Sequence, residues 1–272
     1  MKVIVSHDVD HLTVSEHLLK DLIVPKQLIR NHLELFQKTT SFKEYILRWK
    51  TLFKNKMQNI EELVAFDREN NIPSTFFFGM DNGLGLNYDA QEAKKWINYV
   101  EDSGLATGVH GINYLNYELM KKEYEKFKSI TKQDSFGIRM HYLRYDQQMH
   151  RKLADLGYAF DATSFEDRAP YSKDSLFCFP THIMDTYDVY AGNRWQKLTL
   201  EEIKVHTKKK VDELLKLDIK FLSLLSHDAY FSKSSSIFFE WYVWVIQYLK
   251  ECGCEFVNYQ QAIDELNKEK DG

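Results

Sequence analysis

Ser6-His7-Asp8-Val9-Asp10-His11 puts four ionisable side chains into five positions, directly after the apolar run Val3-Ile4-Val5. In an extended chain alternate residues share a face, so Asp8 and Asp10 point one way and His7 and His11 the other. Carboxylates withdrawn from water need a cation, a metal or a retained water beside them. Two on one face can divide the labour, one binding a divalent metal while the other stays off it and takes a proton from water. The bland alternative is that the acids are strand-end and cap residues, with Asp10 or Thr13 opening a helix. His7 and His11 can equally serve as packing or supporting groups.

Three further segments carry reactive side chains behind apolar runs. In Gly108-Val109-His110-Gly111-Ile112-Asn113-Tyr114 a histidine is flanked by glycines that permit a turn or a close approach. In Ile138-Arg139-Met140-His141-Tyr142-Leu143-Arg144-Tyr145 strand alternation puts Arg139 and His141 on one face and Tyr142 and Arg144 on the other. The two arginines suit a carboxylate or an anionic sugar, with surface ion pairing as the alternative. Phe221-Leu222-Ser223-Leu224-Leu225-Ser226 ends in His227-Asp228, and strand ends are where barrel enzymes hold catalytic groups.

The elements that must position these residues alternate between short apolar runs and helical periodicity, the pattern of a parallel sheet or barrel with helices outside. Strands are expected over 2–8, 74–79, 106–110, 137–142, 159–163, 182–185, 221–226 and 255–258. Helices are expected over 59–66, 90–102, 118–131, 148–156, 200–217 and 237–251. The long stretch of about 12–56 reads as a helical insertion after the first strand, because structureless connections of that length are uncommon in compact domains. Residues 164–193 read as a polar loop region that lines a site or covers a barrel end. The whole chain, 1–272, reads as one domain. The aromatic helix around 237–246 packs on the barrel or forms a homo-oligomer interface.

With 36 basic and 40 acidic residues the formal charge is only -4, so no global field favours nucleic acid or anionic lipid. No apolar stretch reaches the ~18 residues of a membrane span. The opening apolar run is too short for an export signal, which makes a cytoplasmic protein the expectation. Cys178, Cys252 and Cys254 form no disulfide framework and are expected to be reduced.

In their order along the chain, these pieces resemble the polysaccharide deacetylase family, the NodB homology domain of carbohydrate esterase family four. The opening Ser6 to His11 segment looks like an Asp-x-Asp variant of the family's first motif, Thr-Phe-Asp-Asp-Gly. Ser74-Thr75-Phe76-Phe77-Phe78 is similar to its second strand, Arg139 matches the arginine of its third motif, Asp161 the aspartate of its fourth, and Leu224-Leu225-Ser226-His227 its closing Leu-x-x-His. The Asp-Val-Asp-His opening with Arg-x-His-Tyr-Leu-Arg looks like a subgroup of bacterial surface-polysaccharide synthesis, including O-antigen pathways.

The resemblance implies a distorted (β/α)7-type α/β barrel and metal-assisted removal of an acetyl group, N-acetyl before O-acetyl, from a sugar or glycan precursor. On that reading Asp8 is the base, Asp10 and His110 hold a divalent metal, zinc ahead of cobalt or nickel, and His227 protonates the leaving amine. Arg139 tunes the base and Asp161 the acid. The family's second motif, His-Ser/Thr-x-x-His, is broken here, since Tyr114 stands where the second histidine belongs. His141 is the expected replacement ligand, with His7, His11 and His182 left open. Two other readings stand beside this one: a catalytically inactive, carbohydrate-binding relative, and a different metal-dependent amidohydrolase or phosphoesterase on a barrel.

Overall fold

The computed structural model describes residues 1–18, 21–192, 196–217 and 219–271. Leu19 and Lys20 of the expected insertion, and Asn193 at the end of the expected loop region, lie outside the described residues.

Ten strands form one curled half-barrel sheet: β1 (Lys2–Val9), β2 (Thr75–Gly79), β3 (Ala106–Gly111), β4 (Ile138–Met140), β5 (Phe160–Asp161), β6 (Tyr171–Lys173), β7 (Leu176–Cys178), β8 (Ile183–Met184), β9 (Phe221–His227) and β10 (Glu255–Phe256). Their order is β6-β7-β5-β4-β3-β2-β1-β9-β8, with β10 beside the start of β1. Every pairing is parallel except β6 with β7. The helices are α1 (Ile23–Phe36), α2 (Phe42–Phe53), α3 (Ile60–Glu69), α4 (Ala90–Asp102), α5 (Tyr117–Lys128), α6 (Met149–Leu156), α7 (Asp185–Tyr190), α8 (Leu200–Lys216), α9 (Ser236–Glu251) and α10 (Tyr259–Asp271).

β1 is the central strand, buried on both faces as parallel strands are. Its β-branched residues sort by alternation: Val3, Val5 and Val9 join the large core beneath the outer helices, while Ile4 joins a second cluster with Phe77, Phe160, Phe179 and Tyr259. That second cluster fills the inner face of the curl, where Tyr259, Ala262 and Ile263 of α10 close it. Ser6 and Asp8 share the parity of Ile4 and so continue this inner face toward the C-terminal rim. Small residues let the strands approach: a Cβ on Gly137 would lie 2.4 Å from the Phe160 ring, and one on Gly108 would lie 2.7 Å from Phe77.

The expected 137–142 strand is shorter than its apolar pattern suggests. β4 ends at Met140, and a 3-10 turn follows with Tyr142 at φ +58° and Leu143 at φ +52°. Left-handed backbone at two successive residues breaks the pleat, so the expected alternation of residues 141–144 across a strand is corrected. The region expected to be loop holds the β6–β7 hairpin, β8 and α7. The insertion carries a 3-10 turn over Ser15–His17, then α1 and α2, the latter opened by a capping box between Ser41 and Glu44. No helix among the described residues is long and apolar enough to cross a membrane.

Candidate active site

The sheet register delivers polar side chains to one rim. Asp8 lies opposite His227 across β1 and β9, and His110 lies opposite Arg139 across β3 and β4. All four sit at the C-terminal ends of parallel strands, where the connections leave room for a site.

Asp10, His110 and His141 converge, each offering one ligand atom within 4.8 Å of the others. Asp10 Oδ1 is 3.3 Å from His110 Nε2 and 3.4 Å from His141 Nδ1, and those two nitrogens are 3.0 Å apart. The tautomers follow from the partners. His110 Nδ1 faces the Arg139 carbonyl at 3.1 Å, and His141 Nε2 faces the Leu84 carbonyl at 3.1 Å. A carbonyl only accepts, so both rings donate outward and turn their lone pairs inward. Asp10 Oδ1 is buried and has no hydrogen-bond partner among the described residues. Three acceptors thus face one another with no donor between them, an arrangement that calls for a cation. Ligand atoms bound tetrahedrally at about 2.0–2.1 Å lie about 3.3–3.4 Å apart, close to the separations seen. The residues therefore fit a divalent metal, with main-chain carbonyls orienting both imidazoles.

Asp8 sits beside this group, its Oδ2 3.8 Å from His110 Nε2. Its Oδ1 accepts from Arg139 Nη1 at 2.8 Å. Arg139 is fully buried and donates also to Ala162 O at 3.0 Å, Ser6 Oγ at 2.7 Å and Tyr259 OH at 3.0 Å, with Phe77 under its guanidinium at 4.6 Å. Burial pushes the Asp8 carboxyl up, yet Arg139, helped by His110 and His227, outweighs it and holds Asp8 below its ordinary value.

His227 Nδ1 donates to Asp185 Oδ1 at 2.9 Å, and its backbone N–H donates to Asp185 Oδ2 at 2.6 Å. Burial lowers this imidazole, but the Asp185 carboxylate, with Asp10 and Asp8 behind it, overrides that and pushes it up to about 10. Asp161, expected to tune His227, is engaged elsewhere. It accepts from His150 Nε2 at 3.1 Å and from Thr163 N at 3.0 Å. The correction is geometric: β5 lies next to β4, whereas Asp185 follows β8, the neighbour of β9. Asp161, His150 and buried Cys178 make a second close group of potential ligands. Burial pushes the Cys178 thiol up to about 12.

The remaining candidates contribute no atom to the Asp10 group. His7 points to the outer helices, its Nδ1 donating to Ser226 O at 3.0 Å and its Nε2 meeting Asp67 Oδ2 of α3 at 2.9 Å. His11 Nδ1 meets His17 Nε2 at 3.2 Å. His182 joins β8 to β9, accepting from Ser223 N at 3.0 Å and donating to Arg168 O at 2.9 Å. Tyr114 lies 5.0 Å beneath the Arg144 guanidinium. Asp185, Ser6 and Tyr259 are site residues that sequence reasoning did not single out. Ser6 left a trace as the first residue of the acidic opening segment, and Asp185 as the acid closing the expected 182–185 strand, whereas Tyr259 left none.

No family model matches the chain, and no curated protein matches it. Solved structures do. A Mycobacterium smegmatis protein assigned as a polysaccharide deacetylase aligns with a TM-score of 0.67 at 15% identity, over 99% of this chain and 91% of that one. A Pseudomonas aeruginosa PAO1 protein with the same assignment gives 0.56 at 17%, over 75% and 71%. Wild-type BA3943 of Bacillus anthracis, a pseudoenzyme of carbohydrate esterase family four, gives 0.54 at 10%, over 96% of this chain and 64% of that one. At such identities the likeness concerns architecture: the chain has the half-barrel fold of the polysaccharide deacetylases.

Proposed function

We propose that this protein is a metal-dependent hydrolase that removes the acetyl group from an acetamido sugar, a precursor in bacterial surface-polysaccharide synthesis. The observation that carries the reading is the convergence of Asp10 Oδ1, His110 Nε2 and His141 Nδ1, three inward acceptors without a donor, between an arginine-held carboxylate and a carboxylate-held imidazole. The fold neighbours support the substrate class.

Asp10, His110 and His141 would hold the ion, zinc being the first choice for two imidazoles and one carboxylate, ahead of cobalt or nickel. Such an ion supplies Lewis acidity toward the acyl oxygen and makes water easier to deprotonate. Asp8 takes the proton from the attacking water through Oδ2, since Oδ1 is committed to Arg139. Arg139 keeps that carboxylate ionised and fixed. His227 delivers a proton from Nε2 to the departing amine, because Nδ1 is held by Asp185. A C–O bond forms, the C–N bond breaks, and acetate and an amino sugar leave.

The test is metal content together with acetate release from a panel of N-acetylated sugars. Purified protein is expected to carry near-stoichiometric metal. Asp8→Asn should keep the metal and lose about 10²–10⁴-fold in kcat, whereas His141→Ala should lose the metal. Full activity in Asp8→Asn removes it as the base, and full metal retention in both His110→Ala and His141→Ala removes the centre. Tyr114 in place of the family's histidine, and the fold shared with a pseudoenzyme, favour one second reading, a sugar-binding relative without turnover. Sugar binding with neither metal uptake nor acetate release would select it.

A further inference from the structure

We propose that the cavity between the inserted helices and the rim of the sheet is the sugar subsite, and that it admits one or two uncharged pyranose rings while excluding a polymer chain and a nucleotide-linked sugar. As a binding site the proposal stands alone; as the seat of the hydrolysed substrate it rests on the deacetylase reading above.

The cavity measures about 350 Å³ and is walled by α1, α2 and the connection from β9 into α9. It adjoins the candidate site at two points. His11 follows Asp10 in the chain, and the Tyr230 ring lies 5.8 Å from the His227 ring. A ring seated here therefore brings one of its substituents toward the converging acceptors.

The lining has the mixed chemistry that a pyranose needs, with flat apolar faces for its C–H surface and fixed polar groups for its hydroxyls. Tyr230 stacks on Phe238 at 4.3 Å between centroids, and Tyr190 meets the same ring edge-on at 5.3 Å. Gln196 Oε1 is buried on this wall and has no hydrogen-bond partner among the described residues, an acceptor awaiting a hydroxyl or amide donor.

Charge bookkeeping argues for a neutral ligand. Arg30 Nε and Arg48 Nη1 both donate to Glu34, and Arg48 Nε donates to Ser234 O at 2.9 Å. Glu44 accepts from the Ser236 N–H at 3.1 Å and from its hydroxyl at 2.6 Å. Lys56 pairs with Glu61 and Glu62. The two arginines share the Glu34 carboxylate, and Glu44, held by Ser236, brings a second negative charge to the same wall, so these four side chains sum to zero and are held in place before any ligand arrives. A phosphate or carboxylate would meet no net positive charge from these side chains. The volume lies at the low end of the range of about 300–1,000 Å³ for small-molecule pockets, so a long glycan does not fit.

Calorimetric titration of the full chain with N-acetylglucosamine, N-acetylgalactosamine, N-acetylmannosamine, di-N-acetylchitobiose, chitohexaose and UDP-N-acetylglucosamine tests this. At least one of the monosaccharides or the disaccharide is expected to bind, with chitohexaose and UDP-N-acetylglucosamine about tenfold weaker or more. Thr51→Phe, which pushes a ring into the cavity from α2, should weaken that binding at least about tenfold. Gln196→Leu should weaken it about threefold or more while keeping the fold. Both should keep the far-UV circular dichroism and the metal content of wild type, which separates a lost subsite from a lost fold. Absence of binding by all small sugars, equal binding of the hexamer or nucleotide sugar, or unchanged affinity in both variants overturns the proposal. If wild type hydrolyses neither acetylated sugars nor 4-nitrophenyl acetate, yet binds small sugars in a Thr51→Phe-sensitive way, the subsite stands and the hydrolase reading falls.

Discussion

Replacing Arg139 by Met would separate the two things this guanidinium does, satisfying acceptors and neutralising Asp8. Four acceptors lose a donor, Asp8 Oδ1, Ala162 O, Ser6 Oγ and Tyr259 OH, although Ala162 O keeps Thr181 Oγ1 at 3.5 Å and Ser6 Oγ keeps Tyr259 OH at 3.4 Å. Asp8, only 3% exposed, is left as an unpaired carboxylate in the core. Breaking a buried pair by removing one partner costs about 3–5 kcal/mol. Most of that penalty belongs to the stranded charge, so Asp8→Asn in the same chain should return about 2 kcal/mol of it, a coupling visible in a double-mutant cycle. The dependence on pH follows in sign. In wild type the Asp8 carboxyl is held below its ordinary 3.8, so its contribution is present above that value and is lost as pH falls through the folded value. In Arg139→Met burial, the largest influence, is opposed only by His110 and His227 and is expected to raise the carboxyl, so stability falls as pH rises above 3.8. The gap between wild type and variant therefore widens from pH 4 to pH 7. Urea unfolding of chelator-treated protein measures this without a contribution from bound cation. A single-variant loss below about 1 kcal/mol, or a double variant whose loss equals the sum of the singles, refutes the reasoning.

Asp185→Asn should lower kcat by about 10²-fold with metal content unchanged, as read by kinetics beside metal analysis, because it touches His227 and none of Asp10, His110 and His141. Glu123, which accepts from Ile112 N at 2.9 Å, is pushed up to about 7 by burial from an ordinary 4.5. Its folded value exceeds its unfolded one, so it lowers stability by about 3 kcal/mol as pH rises from 4.5 to 7, and Glu123→Gln should flatten that part of the pH–stability curve in urea titrations. Gly137→Ala should cost about 1–3 kcal/mol or more in thermal or urea unfolding, since its Cβ would meet Phe160 at 2.4 Å, whereas a Cβ on exposed Gly104 meets nothing and only the positive φ of +82° resists it.

The rim residues were legible because each closes an apolar run: Asp8 and Asp10 after Val3-Ile4-Val5, His110 after Val109, His227 after Leu224-Leu225. A parallel strand order does the rest, since it brings like ends together whatever the separation along the chain. Choosing between Asp161 and Asp185 needed the strand order itself. Both aspartates stand at or just past the end of a two-residue strand, and only the adjacency of β8 to β9 decides which one meets His227. The β6–β7 hairpin escaped because Tyr171-Ser172-Lys173 is a partly exposed edge with little apolar pattern. Its two-residue turn, Asp174 at φ +51° and Ser175 at φ +67°, has the left-handed geometry of tight hairpins but lacks the glycine that usually announces it. α10 escaped because its apolar face is short and is directed into the curl of the sheet, where Tyr259 also completes the shell around Arg139.

Both inward-facing imidazoles are aimed by peptide oxygens, those of residues 139 and 84, and not by side chains. A peptide oxygen survives any replacement of the residue that bears it, provided the backbone path holds. Neighbouring side chains can therefore be exchanged freely over evolutionary time without rotating either ring, so long as the chain trace is kept. Scaffolds of this kind hold donor geometry through the path of the chain and leave the surrounding side chains free to vary.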